Sequence, residues 1–428
     1  MNVMFLNYTT LHDRIWWIQP MRHFAICALV FLLAGPLLAQ DQTASDPKIE
    51  SKRQDLFTAA VDYSKRYSGH AVLIQHRGKL VFERYDDWGQ ETPHMLASGT
   101  KSFSGVLAMF AVQDGLLTLD ERVCDTITEW KEDPKKSKIT IRHLLSLSSG
   151  LEPADAAFPI RNAGLLPKNS ILSQRQQRIA RQDQSQGLSK LATGNWFKDA
   201  VEVPMKYQPG ENFDYGPSHF YAFGELLNRK LQSQSAIQAT SFEAYAKLRI
   251  FDPIGIQIGR WGKDSAGNVN IPGGLMLTAR NWAKFGQFVL QQGSIEQADG
   301  STKELLSKDL LKQCFVPSSA NPKYGLTWWL NSVDEQADSG RNPGPVQGNF
   351  RDRIRQQALN READVGTDSN QEPMEVYMAA GLGKQRLFIL PKYDLVVVRF
   401  AEPSQQGNRF NNGEFLKPIV QAFDSEKP

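Results

Sequence analysis

The chain has 428 residues, 41% hydrophobic and 22% charged, a balance that supports a sizeable packed core and excludes a wholly disordered polypeptide. Against 49 Lys and Arg stand 46 Asp and Glu, a formal net charge of +3, so bulk charge gives no case for a nucleic-acid-binding or polybasic membrane-surface protein. Three cysteines cannot build a disulfide framework, and seven histidines, none after His219, leave little material for a zinc site.

In chain order, the first feature is an apolar run from Phe24 to Ala39, preceded by Met21-Arg22-His23 and followed by polar residues. A basic start, a short apolar run and a small residue before the polar segment predict a secretory leader over 1–39, with Met21 a candidate start. The run is interrupted by Gly35 and Pro36 and falls short of the roughly 20 residues a spanning helix needs. The expectation is a periplasmic or secreted protein with no stable membrane span once the leader is removed. Leader removal leaves Cys124 and Cys314, whose pairing the sequence leaves open.

Residues 40–54 read as a polar linker and 55–425 as one domain. Leu56, Ala60 and Tyr63 share one helical face over 55–67. From His70 to Tyr85 two apolar runs flank Arg77-Gly78, the pattern of a β-hairpin. Phe103, Val106, Leu107 and Phe110 recur at i, i+3, i+4 and i+7 and predict a core-facing helix that Gly115 stops. A mainly helical subdomain with polar loops is expected from about 125 to 315. Strand patterns return at 325–331, 386–390 and 395–400, with Pro391–Asp394 as a turn, before a last helix at 415–423. Strands from both ends of the chain around a helical insertion predict an α+β fold, an antiparallel sheet flanked by helices. Two polar stretches, 160–195 and 334–373, read as surface insertions, and the second is also a candidate lid.

Several chemistries lack their motifs. There is no G-x-S-x-G elbow, since Gly216-Pro217-Ser218-His219-Phe220 ends in Phe, and no H-E-x-x-H, C-x-x-C or phosphate-cradling loop. What is present is Ser98-Gly99-Thr100-Lys101 at the head of the amphipathic helix. There, residues three apart lie on one face, so the Lys101 amine can reach the Ser98 hydroxyl as base to nucleophile. A lysine acts as base only when neutral, which asks the apolar helix face to depress its pKa from about 10.4. The same four-residue pattern at Ser45–Lys48 lies in a polar tail that holds no geometry. A capping serine before an exposed lysine gives the same pattern, so further groups must decide. One is Phe213-Asp214-Tyr215-Gly216-Pro217-Ser218, whose tyrosine, in a tight turn before a helix, can aim its phenol at a cleft and pass a proton. Another is Ala380-Gly381-Leu382-Gly383-Lys384-Gln385-Arg386, where glycines at a strand edge let a substrate approach the backbone. An edge amide there, with the amide of Ser98, would form an oxyanion hole.

With these groups in order, the chain resembles the serine β-lactamase and penicillin-recognising superfamily, in particular its class C-like branch of esterases and aminohexanoate-oligomer hydrolases. The likeness extends over roughly 55–425, through AVLIQHRGKLVFERY, AVQDGLLTLDE, ITIRHLLSLSSGL, PGGLMLTARNWAKFGQFVLQQG and YGLTWWL. It implies Ser98 as the acylated nucleophile, Lys101 as its base, Tyr215 in proton transfer, and the backbone N–H groups of Ser98 and Gln385 as the oxyanion hole. It implies an acyl-enzyme route without metal or cofactor, and Gly383, Lys384, Arg386 and Ser218 as substrate-binding positions. Two departures stand out. Pro217 replaces the usual Asn of the second motif, with Ser218 or His219 as conceivable substitutes. Leu382-Gly383-Lys384 replaces Lys-Thr-Gly or His-x-Gly, so Leu382 offers no cation for a substrate carboxylate. The reading is a secreted serine hydrolase of a small ester or amide. The alternatives are a degenerate member that binds a cell-wall or peptide ligand, and, more weakly, a β-lactamase or D-Ala-D-Ala carboxypeptidase.

Overall fold

The computed structural model describes residues 47–154, 193–331, 364–367, 372–404 and 407–424. The leader, the 160–192 part of the first insertion and nearly all of the candidate lid therefore lie outside the described residues. Helix α1 spans Pro47–Arg66, so residues 47–54 are helix rather than linker. Glu50 bonds Arg53 and Gln54 one turn on, and such polar turns carry no apolar period to betray them.

The hairpin forms as expected, β1 (Gly69–His76) and β2 (Lys79–Tyr85) turning at Arg77-Gly78. Then come β3 (His94–Met95), a 3-10 turn (Ala97–Lys101) and α2 (Ser102–Gln113), which ends before Gly115 at a φ of 71°. Further along lie α3 (Ser218–Gln232), β4 (Arg260–Trp261), β5 (Leu275–Leu277), α4 (Ala279–Leu290), β6 (Ser294–Glu296) and β7 (Thr302–Glu304). The segment between 125 and 315 is thus helical but also carries the β6–β7 pair and two strands, β4 and β5, of a small sheet completed by β3, all of two or three residues and too short for an alternating pattern to register. The chain closes with β8 (Trp329–Asn331), β9 (Val376–Gly381), β10 (Gln385–Leu390), β11 (Leu395–Ala401) and α5 (Asn412–Gln421).

The main sheet has six strands in the order β2-β1-β11-β10-β9-β8, each neighbouring pair antiparallel. Strands from the two ends of the chain meet at β1 and β11, as the sequence pattern predicts. On one face lie α1 and α5, with Phe388 of β10 packed on Phe415 of α5. On the other lies α4, so close that a side chain at Gly286 would meet Val396 at 2.6 Å. Helix α2 stacks in turn on α4, with the Phe103 and Phe285 rings 3.8 Å apart. Every residue from Ser102 to Ala111 is buried, because α2 is walled in on all sides. Cys124 and Cys314 are both buried and free, so they form no disulfide. Among the described residues no helix is long and apolar enough to cross a membrane.

The rings of His70, Trp88, His94 and Phe400 touch in a row, the first pair stacked and the next two contacts tilted. Burial, opposed by hydrogen bonds to Ala401 O and Gln385, takes His94 from its ordinary 6.5 to about 4. The unfolded chain therefore binds this proton across pH 6.5 to 4 and the folded one does not, so stability present above 6.5 is lost as the pH falls through that window. The loss is on the order of 3 kcal/mol. Urea melts at pH 7 and 4.5 are expected to show a shallower acid loss in His94→Gln than in the parent; equal losses would refute the assignment.

Candidate active site

Ser98 and Lys101 lie within the 3-10 turn, not in regular α-helix. Three residues per turn eclipse positions i and i+3, so the two side chains project from one line. Ala97, just before Ser98, holds a left-handed φ of 48°, a strained value for a residue with a Cβ. The turn is anchored on both sides. The Thr100 hydroxyl donates to Ala97 O and accepts from Leu275 N–H of β5, while the Ser102 hydroxyl donates to Thr327 O. As the second residue of its turn, Ser98 has no carbonyl one turn back within the helix to take up its N–H.

Lys101 is 5% exposed. Its Nζ donates to Pro272 O at 2.7 Å and lies 3.0 Å from Ser98 Oγ, in hydrogen-bond contact. It also sits 4.9 Å from the centroid of the Tyr215 ring and 5.4 Å from that of Phe220. The structure thus brings Ser98, Lys101 and Tyr215 together. Pro272 was not foreseen, since a backbone carbonyl leaves no mark in residue type.

Tyr215 leads into α3 and is half-buried against aromatic rings, stacked on Trp329 at 6.0 Å and edge-on to Tyr324 at 6.4 Å. A side chain at Gly216 would meet Pro153 Cβ at 2.4 Å, which is why this turn passes only with glycine. Pro217 caps α3 in the place where the motif usually has Asn. Neither neighbour faces Lys101 in its stead: Ser218 is fully buried and its hydroxyl donates to Glu152 O, and His219 is fully buried against Ser149. The substrate-binding expectation for Ser218 is corrected accordingly.

The third group needs a larger correction. The strand beside the Ser98 turn is β9, where a side chain at Gly381 would fall 2.0 Å from Leu96 O. Strand β10 lies inside the sheet between β9 and β11, and the Gln385 side chain is spent on Ala401, accepting from its N–H and donating to its carbonyl. The Gln385 N–H is therefore not at an edge facing Ser98. Arg386 does not line the cleft either. It is 1% exposed and donates to Gly381 O, Gln385 O and the Asn412 side chain. Its cross-strand partner Arg399 is equally buried, held by Ser64, Tyr67 O and Lys384 O. Burial first, and the adjacent Arg386 second, lower Arg399 to about 9.

These arginines shape the β9–β10 turn, where Gly383 and Lys384 take left-handed φ values of 83° and 62°. A trans peptide points its C=O and N–H in opposite directions. With Gly381 O held by Arg386, the Leu382 N–H points away from Arg386. Strand β8 covers the outer edge of β9 only as far as Met378, and Leu382 is 38% exposed. Strand β9 escaped the sequence reading because Ala379-Ala380-Gly381 has low strand propensity.

The chain belongs to the β-lactamase family of serine hydrolases, whose model matches residues 49–412. A lovastatin esterase of Penicillium rubens is 25% identical over 231 residues, covering 47% of this chain and 50% of that protein. The chain thus matches about half the length of that relative. Two solved structures share the fold. One is a Bacillus anthracis protein assigned as a 6-aminohexanoate-dimer hydrolase, with TM-score 0.55, 18% identity and coverage of 86% of this chain and 82% of that one. The other is a Bacteroides dorei protein assigned as a β-lactamase, with TM-score 0.56, 16% identity and coverage of 87% and 98%.

Proposed function

We propose that the protein is an exported serine hydrolase that cleaves a small ester or amide through an acyl-enzyme on Ser98. The observation that carries this reading is the 3.0 Å contact between a buried lysine amine and a serine hydroxyl. Neutral Lys101 takes the hydroxyl proton as Ser98 Oγ attacks the substrate carbonyl. The oxyanion is received by the N–H groups of Ser98 and Leu382, the second replacing Gln385 in that role. Tyr215, beside Lys101, relays the proton to the leaving alcohol or amine. Water then cleaves the acyl-enzyme by the reverse path, and no step calls for a metal or cofactor.

An ester is favoured by the likeness to a lovastatin esterase. Penicillins and peptidoglycan stems are disfavoured, because Leu382 offers no cation to a carboxylate and the nearby Arg386 is buried behind the strand. Half-buried Lys384 remains at the rim, though its left-handed backbone and its carbonyl bond to Arg399 fix the turn rather than its amine.

A fluorophosphonate probe followed by peptide mass analysis tests the reading. Covalent mass on the Ser98 peptide is expected, with none in Ser98→Ala. No adduct after long exposure would favour the alternative, a protein that binds a cell-wall or peptide ligand without turning it over.

A further inference from the structure

His219 lies in the first turn of α3, fully buried, and no step of the proposed reaction uses it. Its Nδ1 is 2.8 Å from Ser149 Oγ and its Nε2 is 2.8 Å from Asp214 O. A carbonyl only accepts, so Nε2 carries the hydrogen and donates it to Asp214 O. Ser149 Oγ accepts from Leu151 N–H, which leaves its own proton free to donate to Nδ1. The ring is therefore bonded at both nitrogens. Ser149 is as deeply buried as His219, so this serine–histidine pair is no second nucleophile.

Asp214, the receiver, is fixed at every polar group it has. Its N–H donates to Leu147 O at 2.8 Å, its carbonyl accepts from His219, and its carboxylate accepts from Lys206 at 2.9 Å. The next residue is Tyr215. The peptide leaving Asp214 O sets where the Tyr215 Cα stands, and an ångström of error at a proton-transfer group costs on the order of 100-fold in rate.

We propose that Ser149 and His219 are positioning residues for Tyr215, acting through the Asp214 carbonyl. The inference rests on the hydrolase reading above. Helix α3 then does more than bury Phe220 and Phe223, since its first turn also reaches back to hold the loop that precedes it.

The test is a double-mutant cycle on the intact protein, read as kcat and KM on a short-chain ester, with labelling of Ser98 by a fluorophosphonate probe as the separate check on the hydrolase reading. His219→Leu is expected to lower kcat by roughly 10- to 100-fold, with KM nearly unchanged. His219→Gln, whose amide can donate to Asp214 O, is expected to recover most of that loss. In a Tyr215→Phe background, His219→Leu should cost almost nothing more, because the group it positions has already lost its hydroxyl. A merely structural histidine would instead cost the same factor in both backgrounds, and that result overturns the inference. Should His219→Leu fail to fold, Ser149→Ala, which removes only the donor to Nδ1, must show the same coupling to Tyr215. Absence of that coupling overturns the inference equally. A parent protein whose Ser98 is never labelled overturns the hydrolase reading and this inference with it; labelling without coupling overturns this inference alone.

Discussion

Replacing Lys101 with Met is expected to lower ester turnover by ~10⁴ to 10⁶, with the fold intact. The amine is the group in hydrogen-bond contact with Ser98 Oγ, so the hydroxyl would have no base to lose its proton to. Methionine is unbranched and apolar, and it can fill the space between the Tyr215 and Phe220 rings where the lysine stem now runs. The change leaves Pro272 O without its donor, a loss of about 1 to 3 kcal/mol, but it also removes the cost of keeping an amine from water. Melting should therefore shift little while activity collapses. Ser98→Ala should fall equally far, and the double variant no further, since the pair acts as one unit. Turnover within about tenfold of the parent would remove Lys101 from the proton path.

The largest loss of stability is expected from Gly105→Val. Gly105 lies in α2 where the helix passes directly against the chain at Leu326 and Thr327. A Cβ there would fall 2.3 Å from Leu326 O and 2.6 Å from Thr327 Oγ1, and the former is backbone that cannot rotate aside. The same Thr327 hydroxyl accepts the Gly105 N–H, so helix and loop are joined at the point of contact. Valine must lever α2 outward against a sheath of buried aromatic residues, at a cost of about 3 kcal/mol or more. Because α2 follows the Ser98 turn without a break, activity should fall in parent-like temperature ranges before the protein melts. Denaturant melts showing a change below about 1 kcal/mol would mean the loop yields, and the close approach is not what fixes the helix.

Much of this was legible in the residues because it depends on pattern or on chemistry in short range. The β1–β2 hairpin, the buried helix after Ser98, β11 and the antiparallel architecture follow from apolar periods that a strand or helix must display. Ser98 and Lys101 could be paired because three residues apart is a local relation. What escaped depended on contacts with distant backbone. Pro272 holds Lys101 through a carbonyl, and any residue has one. The β9 strand ends in alanines and a glycine where strands usually carry branched side chains, and at Gly381 the Leu96 carbonyl leaves no room for one. Gln385 and Arg386 sit next to that edge in sequence, yet alternation and sheet position send their side chains into the interior. Arg386 is the instructive case: an arginine in an otherwise apolar strand reads as a ligand for substrate, whereas its guanidinium is taken up by main-chain oxygens and an asparagine.

The pairing of β1 with β11 carries a consequence for biosynthesis. Ile74 faces Val397, and Leu73 faces Val398, so one strand has its inner edge closed by another made more than 300 residues later. A ribosome-bound chain lacking β11 holds a hairpin with an open, apolar flank and no partner to zip against. The main sheet cannot close until β11 has emerged, and until then that flank is the surface a chaperone has to shield.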